Sequence, residues 1–190
     1  MNRCFLPALI AAALALAAPA AVPPAAAEIF LFQDDPLLVA VYRNEADNVR
    51  ALLVRGHPTT TTDRDGRNAL ILGATQGSYE SLELLLESRV QVDFADNYGN
   101  TALYYASGYG FDGIVELLTT HGASVDAENL EGRTPLMRAV ETGQLQVVRV
   151  LIDKGADVNR ADFTGRSVLD WARAGRSKPL VRLLQKAGAR

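Results

Sequence analysis

The sequence predicts an all-α solenoid of five 33-residue helix-turn-helix repeats with short β-turn or hairpin tips, and three observations predict it. Gly66, Gly99, Gly132 and Gly165 stand 33 residues apart each time, and a fixed period in this range marks stacked supersecondary units. Two leucine columns keep that period, Leu37, Leu70, Leu103, Leu136, Leu169 and Leu52, Leu85, Leu118, Leu151, Leu184. A third column, Ala40, Gly73, Ala106, Ala139 and Ala172, is always small, and a fourth, Val49, Leu82, Val115, Val148 and Val181, is always aliphatic. A short helix pair cannot bury such a face alone, so stability must come from interfaces between neighbouring repeats.

The chain opens on a different kind of segment. Arg3 is followed by an apolar Ala/Leu run from Phe5 to Ala18, and Ala25-Ala26-Ala27 precedes Glu28. A basic start, an apolar stretch and a small-residue cleavage pattern predict a secretory signal peptide over residues 1–27, with a site near Ala20 as the alternative. Pro19, Pro23 and Pro24 interrupt the apolar run, which argues against an uncleaved membrane anchor. Cys4 lies too close to Met1 to accept a lipid after a full apolar run. The Ala- and Pro-rich signal resembles bacterial ones, so the expected address is the periplasm, with no stable membrane insertion after cleavage.

Residues 28–190 then form the repeat domain, divided at about 30–62, 63–95, 96–128, 129–161 and 162–190. A chain with 48% hydrophobic and 22% charged residues has the composition of a soluble globular protein, which excludes disorder. Its formal charge of −3 becomes −4 without Arg3, the only charge in the signal, and no cationic field for nucleic acid follows from it. Cys4 is the only cysteine, so the mature chain has no thiol for a disulfide, a nucleophile or a metal.

Each repeat carries its own punctuation. Asn68, Thr101, Thr134 and Ser167 follow the turn glycines by two residues, and their side-chain oxygens can accept an orphan amide at a helix start. Pro135 follows Thr134, where a missing amide donor costs nothing. Gly77, Gly110, Gly143 and a displaced Gly175 are expected to end the first helices, and Gly56, Gly122, Gly155 and Gly188 the second.

The stretches Asp96-Asn97-Tyr98-Gly99-Asn100-Thr101-Ala102-Leu103, Gly132-Arg133-Thr134-Pro135-Leu136-Met137 and Gly155-Ala156-Asp157-Val158-Asn159 resemble the ankyrin repeat, over about residues 30–190. The resemblance implies an ankyrin-repeat solenoid whose business is binding a protein. One departure is consistent: the family's usual His after the turn leucine is Ile71, Tyr104, Met137 and Asp170 here. That His ties neighbouring turns together, so these turns are expected to be held less firmly. The first repeat, with Asn44 in place of the glycine and no clear turn before Pro36, and the last, rich in Arg and Lys, read as caps.

Catalytic chemistry finds no foothold. There is no phosphate-binding glycine loop with a lysine, no nucleophile elbow and no His/Cys cluster at metal spacing. His57 and His121 are expected to meet the last carbonyls of second helices. Asp63, Asp65, Asp96, Asp126, Asp157 and Asp162 sit singly at repeat junctions, where turn formation explains them better than calcium. No enzyme activity, cofactor or metal is expected.

In proteins that this chain resembles, partners lie across the turn tips and first helices. Carried over, the expected protein-binding residues are Arg64, Arg67, Gln76, Asn97, Tyr98, Asn100, Tyr109, Glu131, Arg133, Glu141, Phe163 and Arg166, with Asp65, Thr75, Leu130, Thr142 and Thr164 beside them. Tyr98, Tyr104, Tyr105, Tyr109 and Phe111 concentrate in one repeat of a chain that is only 7% aromatic. Tyrosine at a tip offers contact area with little side-chain entropy to lose, so Tyr98 and Tyr109 are expected to be exposed contacts. Tyr104 and Tyr105 are open between contact and core packing. Arg67, Arg133 and Arg166 are a polar rim or solvated turn charges, and Trp171 is expected in the core of the cap. The leading expectation is a periplasmic scaffold or adaptor that engages a protein or peptide through repeats two to four. The alternative is a chaperone-like or structural protector of envelope or stress-response proteins without one dedicated epitope.

Overall fold

A computed structural model describes residues 35–190, and the segment read as a signal peptide, residues 1–27, lies outside them. Five helix pairs arise there because each pair has a side-chain oxygen at its start and a left-handed residue at each stop. The first helices are α1 (Pro36–Tyr42), α3 (Ala69–Gln76), α5 (Ala102–Tyr109), α7 (Pro135–Glu141) and α9 (Val168–Ala174). The second helices are α2 (Ala46–Val54), α4 (Tyr79–Glu87), α6 (Asp112–Thr120), α8 (Leu145–Asp153) and α10 (Lys178–Lys186). Like packs on like along the stack, first helices in one layer and second helices in the other.

The caps are where the columns put them. Asn68 Oδ1 accepts from the Ile71 amide at 2.9 Å, and the hydroxyls of Thr101, Thr134 and Ser167 accept from Tyr104, Met137 and Asp170. Asp170 stands where the family has His, and returns the bond by accepting from the Ser167 amide at 3.0 Å, which closes a capping box. The first repeat also has its start. Asp35 Oδ1 accepts from the amides of Leu37 and Leu38, with Pro36 at the first helical position. Asp35 lies 33 residues before Asn68, so the N-cap column extends one repeat further than expected.

The helix stops bring one correction. Gly175 does not supply a left-handed stop: its φ is −72°, and the neighbouring Arg176 takes φ +54° instead. Position in the stack, and not residue type, decides the conformation, because Arg176 is the residue in register with Gly77, Gly110 and Gly143. Asn44 holds the same place in the first repeat at φ +56°. Arg89, in register with Gly56, Gly122, Gly155 and Gly188, is similarly held at φ +59°.

The small column does its work by closeness. A methyl group on Gly73 would meet Leu82 Cδ2 at 3.0 Å and Val41 Cγ1 at 3.4 Å, so neighbouring layers already touch. Burial also gives the columns a direction. Val49, Leu82, Val115 and Val148 are fully buried but Val181, in the last repeat, is only partly covered. The Leu85, Leu118, Leu151 and Leu184 side chains are fully buried but Leu52, in the first repeat, is not. The valine-type column therefore faces forward along the stack and the second-helix leucine column faces back.

A non-glycine residue in the left-handed region costs about 1–2 kcal/mol, of which glycine's greater unfolded entropy returns about 0.5–1 kcal/mol. Arg89→Gly is therefore expected to raise the thermal midpoint by about 2 °C in calorimetry. A fall in midpoint would show that the Arg89 side chain contributes more than its backbone strain costs.

Candidate interaction surface

Each tip is built around one buried polar side chain. Asp63, Asp96, Asn129 and Asp162 are all less than a tenth exposed. The Oδ1 atom of each accepts from the amides two and four residues on, as in Asp96 with Tyr98 and Asn100, both at 2.9 Å. This bracket explains Asp63, Asp96 and Asp162, three of the six aspartates at repeat junctions, as turn formers. Three of the tips close on single antiparallel bridges, Thr62 with Asn68, Ala95 with Thr101 and Ala161 with Ser167.

Neighbouring tips are joined through the main chain. The amides of Asn97, Leu130 and Phe163 donate to the carbonyls of Asp65, Tyr98 and Glu131, at 3.0, 3.1 and 3.0 Å. Turns expected to be loose without the family's histidine are thus tied by a backbone ladder. A second ladder runs at the other end of the repeats, where Asp93, Asp126 and Asn159 accept from the amides of Ser124, Asp157 and Arg190.

The second oxygen of each tip carboxylate takes a different donor. Arg67 Nε donates to Asp63 Oδ2 at 2.8 Å, the Tyr105 hydroxyl to Asp96 Oδ2 at 2.6 Å, and the Trp171 indole to Asp162 Oδ2 at 3.1 Å. Asn129, having no second oxygen, donates through Nδ2 to Asn100 Oδ1, and Asn100 Nδ2 donates on to the Tyr105 hydroxyl. A hydrogen-bond chain therefore links Asn129, Asn100, Tyr105 and Asp96 across two repeats. Burial, and then the bond to Asp96, push the Tyr105 hydroxyl well above its ordinary range, so it stays a donor. Burial also raises Tyr104, which is 7% exposed and fills space below the Arg138 guanidinium. These two tyrosines are structural.

The arginines after the turns are half-buried and engaged within the chain. Arg67 pairs with Asp63 at 2.7 Å and Asp65 at 3.2 Å. Burial works against the Arg67 charge, but the bond and attraction to Asp63 outweigh it and raise its pKa. Arg133 pairs with Glu131 at 3.0 Å and Glu141 at 3.4 Å, and lies over the Trp171 ring at 4.6 Å. Arg166 lies over the same ring at 3.7 Å. Trp171 is thus half-buried between two guanidinium groups rather than sealed in the cap core.

The large apolar residues exposed on the tips form a row, while Val54, Tyr79 and Tyr109 are exposed elsewhere. Tyr98 is 59%, Leu130 70% and Phe163 73% exposed, on three successive tips. Asn97 and Arg64 continue the Leu130–Phe163 column toward the N-terminus; both are exposed, and Asn97 Nδ2 donates to the Arg64 carbonyl. Below the row run two clefts that share Leu130 and Glu131. One, of about 340 Å³, is lined by Tyr98, Asn100, Tyr104, Tyr105, Asn129 and Arg138 as well. The other, of about 310 Å³, adds Arg133, Asp162, Phe163, Thr164, Arg166 and Trp171. Gln76 and Tyr109 are exposed but stand apart, at the opposite ends of their first helices. Tyr109 stacks on Phe111 at 5.9 Å. Glu141 serves both Arg133 and Arg138, the latter at 2.8 Å.

Arg138 and Trp171 were not among the expected contacts. Both occupy the column of Tyr105, which the sequence leaves open between contact and core, one helical turn inside the tip, and in the structure this column is the cleft floor. Gly108 is the signal for Arg138: a methyl group there would sit 2.7 Å from its Nε.

His121 Nδ1–H donates to the Leu117 carbonyl at 2.9 Å, meeting the end of α6 as expected, and His57 contacts the Pro58 carbonyl. Among the described residues no group of three or more His, Cys, Asp or Glu is placed to hold a metal, and no helix is long and apolar enough to cross a membrane. A family profile described as ankyrin repeats (3 copies) matches residues 37–129 and 112–190. No curated protein matches the chain.

Burial alone would raise the Asp162 carboxyl, but donors from Thr164, Arg166 and Trp171 outweigh it and hold its pKa below the ordinary value. Its stabilisation is therefore complete above about pH 4 and is lost as pH falls through the lower folded value. Asp162→Asn is expected to lower the thermal midpoint at neutral pH, with the gap to the native chain narrowing from pH 4 to pH 2. A gap that stays constant across that range would show that the carboxylate charge contributes nothing.

Proposed function

The chain belongs to the ankyrin-repeat family, and from that premise we propose a scaffold that holds one protein partner along the tips and clefts of its third to fifth repeats. Ankyrin repeats are generic protein-interaction modules, which supports a protein-binding scaffold. The observation that carries the finer reading is the row of Tyr98, Leu130 and Phe163, each more than half exposed over clefts whose polar groups are already paired. An exposed apolar row over a pre-formed, hydrogen-bonded floor binds at low ordering cost. The partner surface that fits is an extended segment or helix edge that sets apolar side chains against successive tips and polar groups beside Glu131 and Arg138. Tyr109 lies outside these clefts and is secondary in this reading.

Affinity capture from the envelope fraction of the source cells tests it. Tyr98→Ala is expected to weaken retention of a stoichiometric partner by about thirtyfold, as a hot-spot aromatic does, while Tyr109→Ala changes it by about threefold or less. Equal retention by native and Tyr98→Ala chains would overturn the assignment. Weak capture of many unrelated proteins, indifferent to Tyr98, would favour a general protective role.

The periplasmic setting belongs to the same proposal and rests on the signal-like residues 1–27. Chain recovered from a periplasmic extract is expected to begin at Glu28. Recovery beginning at Met1 from the cytosol would overturn it.

A further inference from the structure

Among the described residues, the first and the last repeat each leave one aliphatic side chain of the repeat columns partly covered. At the front, Leu52 is half-covered, and with Val39, Ala40 and Ala51 it lines a groove of about 330 Å³ rimmed by Glu45. At the back, Val181 is half-covered in a groove of about 450 Å³ with Arg173, Arg176, Lys178, Arg182 and Gln185. Inside the stack the equivalents of Leu52 are fully buried against the preceding repeat and those of Val181 against the next. The outer groove of the last repeat is otherwise lined by polar residues, as a cap requires, with Val181 the aliphatic exception.

The back is strongly basic: residues 162–190 hold seven Arg and Lys against Asp162 and Asp170, and Asp162 is spent in its tip. Residues 35–62 are balanced, Asp35, Glu45 and Asp47 against Arg43, Arg50 and Arg55, but Glu45 and Asp47 lie together beside the front groove, with Arg55 at the far end of α2.

The repeat register says which groups would meet if a second copy continued the stack. Within the chain, Arg50 pairs with Glu80 of the next repeat at 3.9 Å. Arg182 is in register with Arg50, and Asp47 with Glu80, so Asp47 of a second copy arrives opposite Arg182. Phe111 lies against Gly77 and Gln144 against Gly110 in the same way. Glu45 is in register with Phe111 and Gln144, and Arg176 with the two glycines, so Glu45 of a second copy arrives on Arg176. Arg176 is the residue held at φ +54° where three repeats have glycine and the first has Asn44. The strain places a cation where the register calls for one.

From these juxtapositions we infer that copies of this chain associate end to end, the first repeat of one seated on the last repeat of another. The contact is heterologous, buries Leu52 with Val181, and pairs Asp47 with Arg182 and Glu45 with Arg176. Because the two faces lie at opposite ends, each added copy leaves one of each kind free, and the assembly extends rather than closing as a two-fold dimer. The tips and clefts stay open throughout, so partner binding and end-to-end association are separate properties.

Sedimentation velocity on the purified full chain tests it. In low salt, the weight-average sedimentation coefficient is expected to rise with concentration between about 10 μM and 1 mM, and the rise to be lost near 0.5 M salt, where exposed charges are screened. Asp47→Arg and Arg182→Glu, both at exposed positions, each place like charges in the contact. Each alone is expected to raise the association midpoint about tenfold or more, and an equimolar mixture of the two to restore assembly, because every contact between unlike chains is then complementary. Circular dichroism of each variant establishes that it is folded. A chain that is monomeric at all concentrations overturns the inference. So does association that ignores both substitutions, or a mixture that fails to recover it.

Discussion

The main-chain bond from each tip to the one before it is the constraint on which the rest of this structure depends. Asp65 to Asn97, Tyr98 to Leu130 and Glu131 to Phe163 set the spacing of the tips, and the buried Asp or Asn brackets fix the shape of each. With tip spacing fixed, the first helices must lie close enough for the small column to be needed. The forward-facing valine column is then driven into the back-facing leucines of the next repeat. Because these bonds are between backbone groups, they are indifferent to which residues occupy the exposed tip positions. Tyr98, Leu130 and Phe163 could therefore become a binding row at no cost to the stack.

The same division governs the polar interior. Each tip carboxylate must be satisfied because it is buried, yet Arg67, Tyr105 and Trp171 show that three unrelated donors serve the purpose. Two of these donors line the clefts. The floor of the candidate site is thus a consequence of satisfying buried carboxylates, and its geometry is stiff for that reason.

The fold was legible because burial, caps and stops all recur at one period, so weak local signals at Asn68, Thr101, Thr134 and Ser167 reinforced one another. Where the structure departed, register prevailed over residue type: Asp35 caps α1 one period ahead of Asn68, and Arg176 takes the left-handed place beside Gly175. The exposed half of the site was legible too, since Tyr98 and Phe163 stand on tips the period locates. The floor was not. Arg138 and Trp171 lie in a column that the sequence leaves open between contact and core, and only contacts from neighbouring repeats, at Gly108 and at the Arg133 and Arg166 guanidinium groups, bring them to the cleft. Single-column reading cannot see interactions that cross columns and repeats together.

Trp171 is the chain's sole tryptophan, and it sits between two cations in the terminal repeat. Its emission therefore reports on that one end of a quasi-one-dimensional molecule. In a stack whose stability is a sum of nearest-neighbour terms, the last unit has a neighbour on one side only and opens first. Fluorescence followed through a denaturant titration records the fraying of this end, ahead of the helical signal that averages all five pairs. Two probes that disagree here describe one molecule melting from its edge, and a single unfolding free energy fitted to either would describe neither.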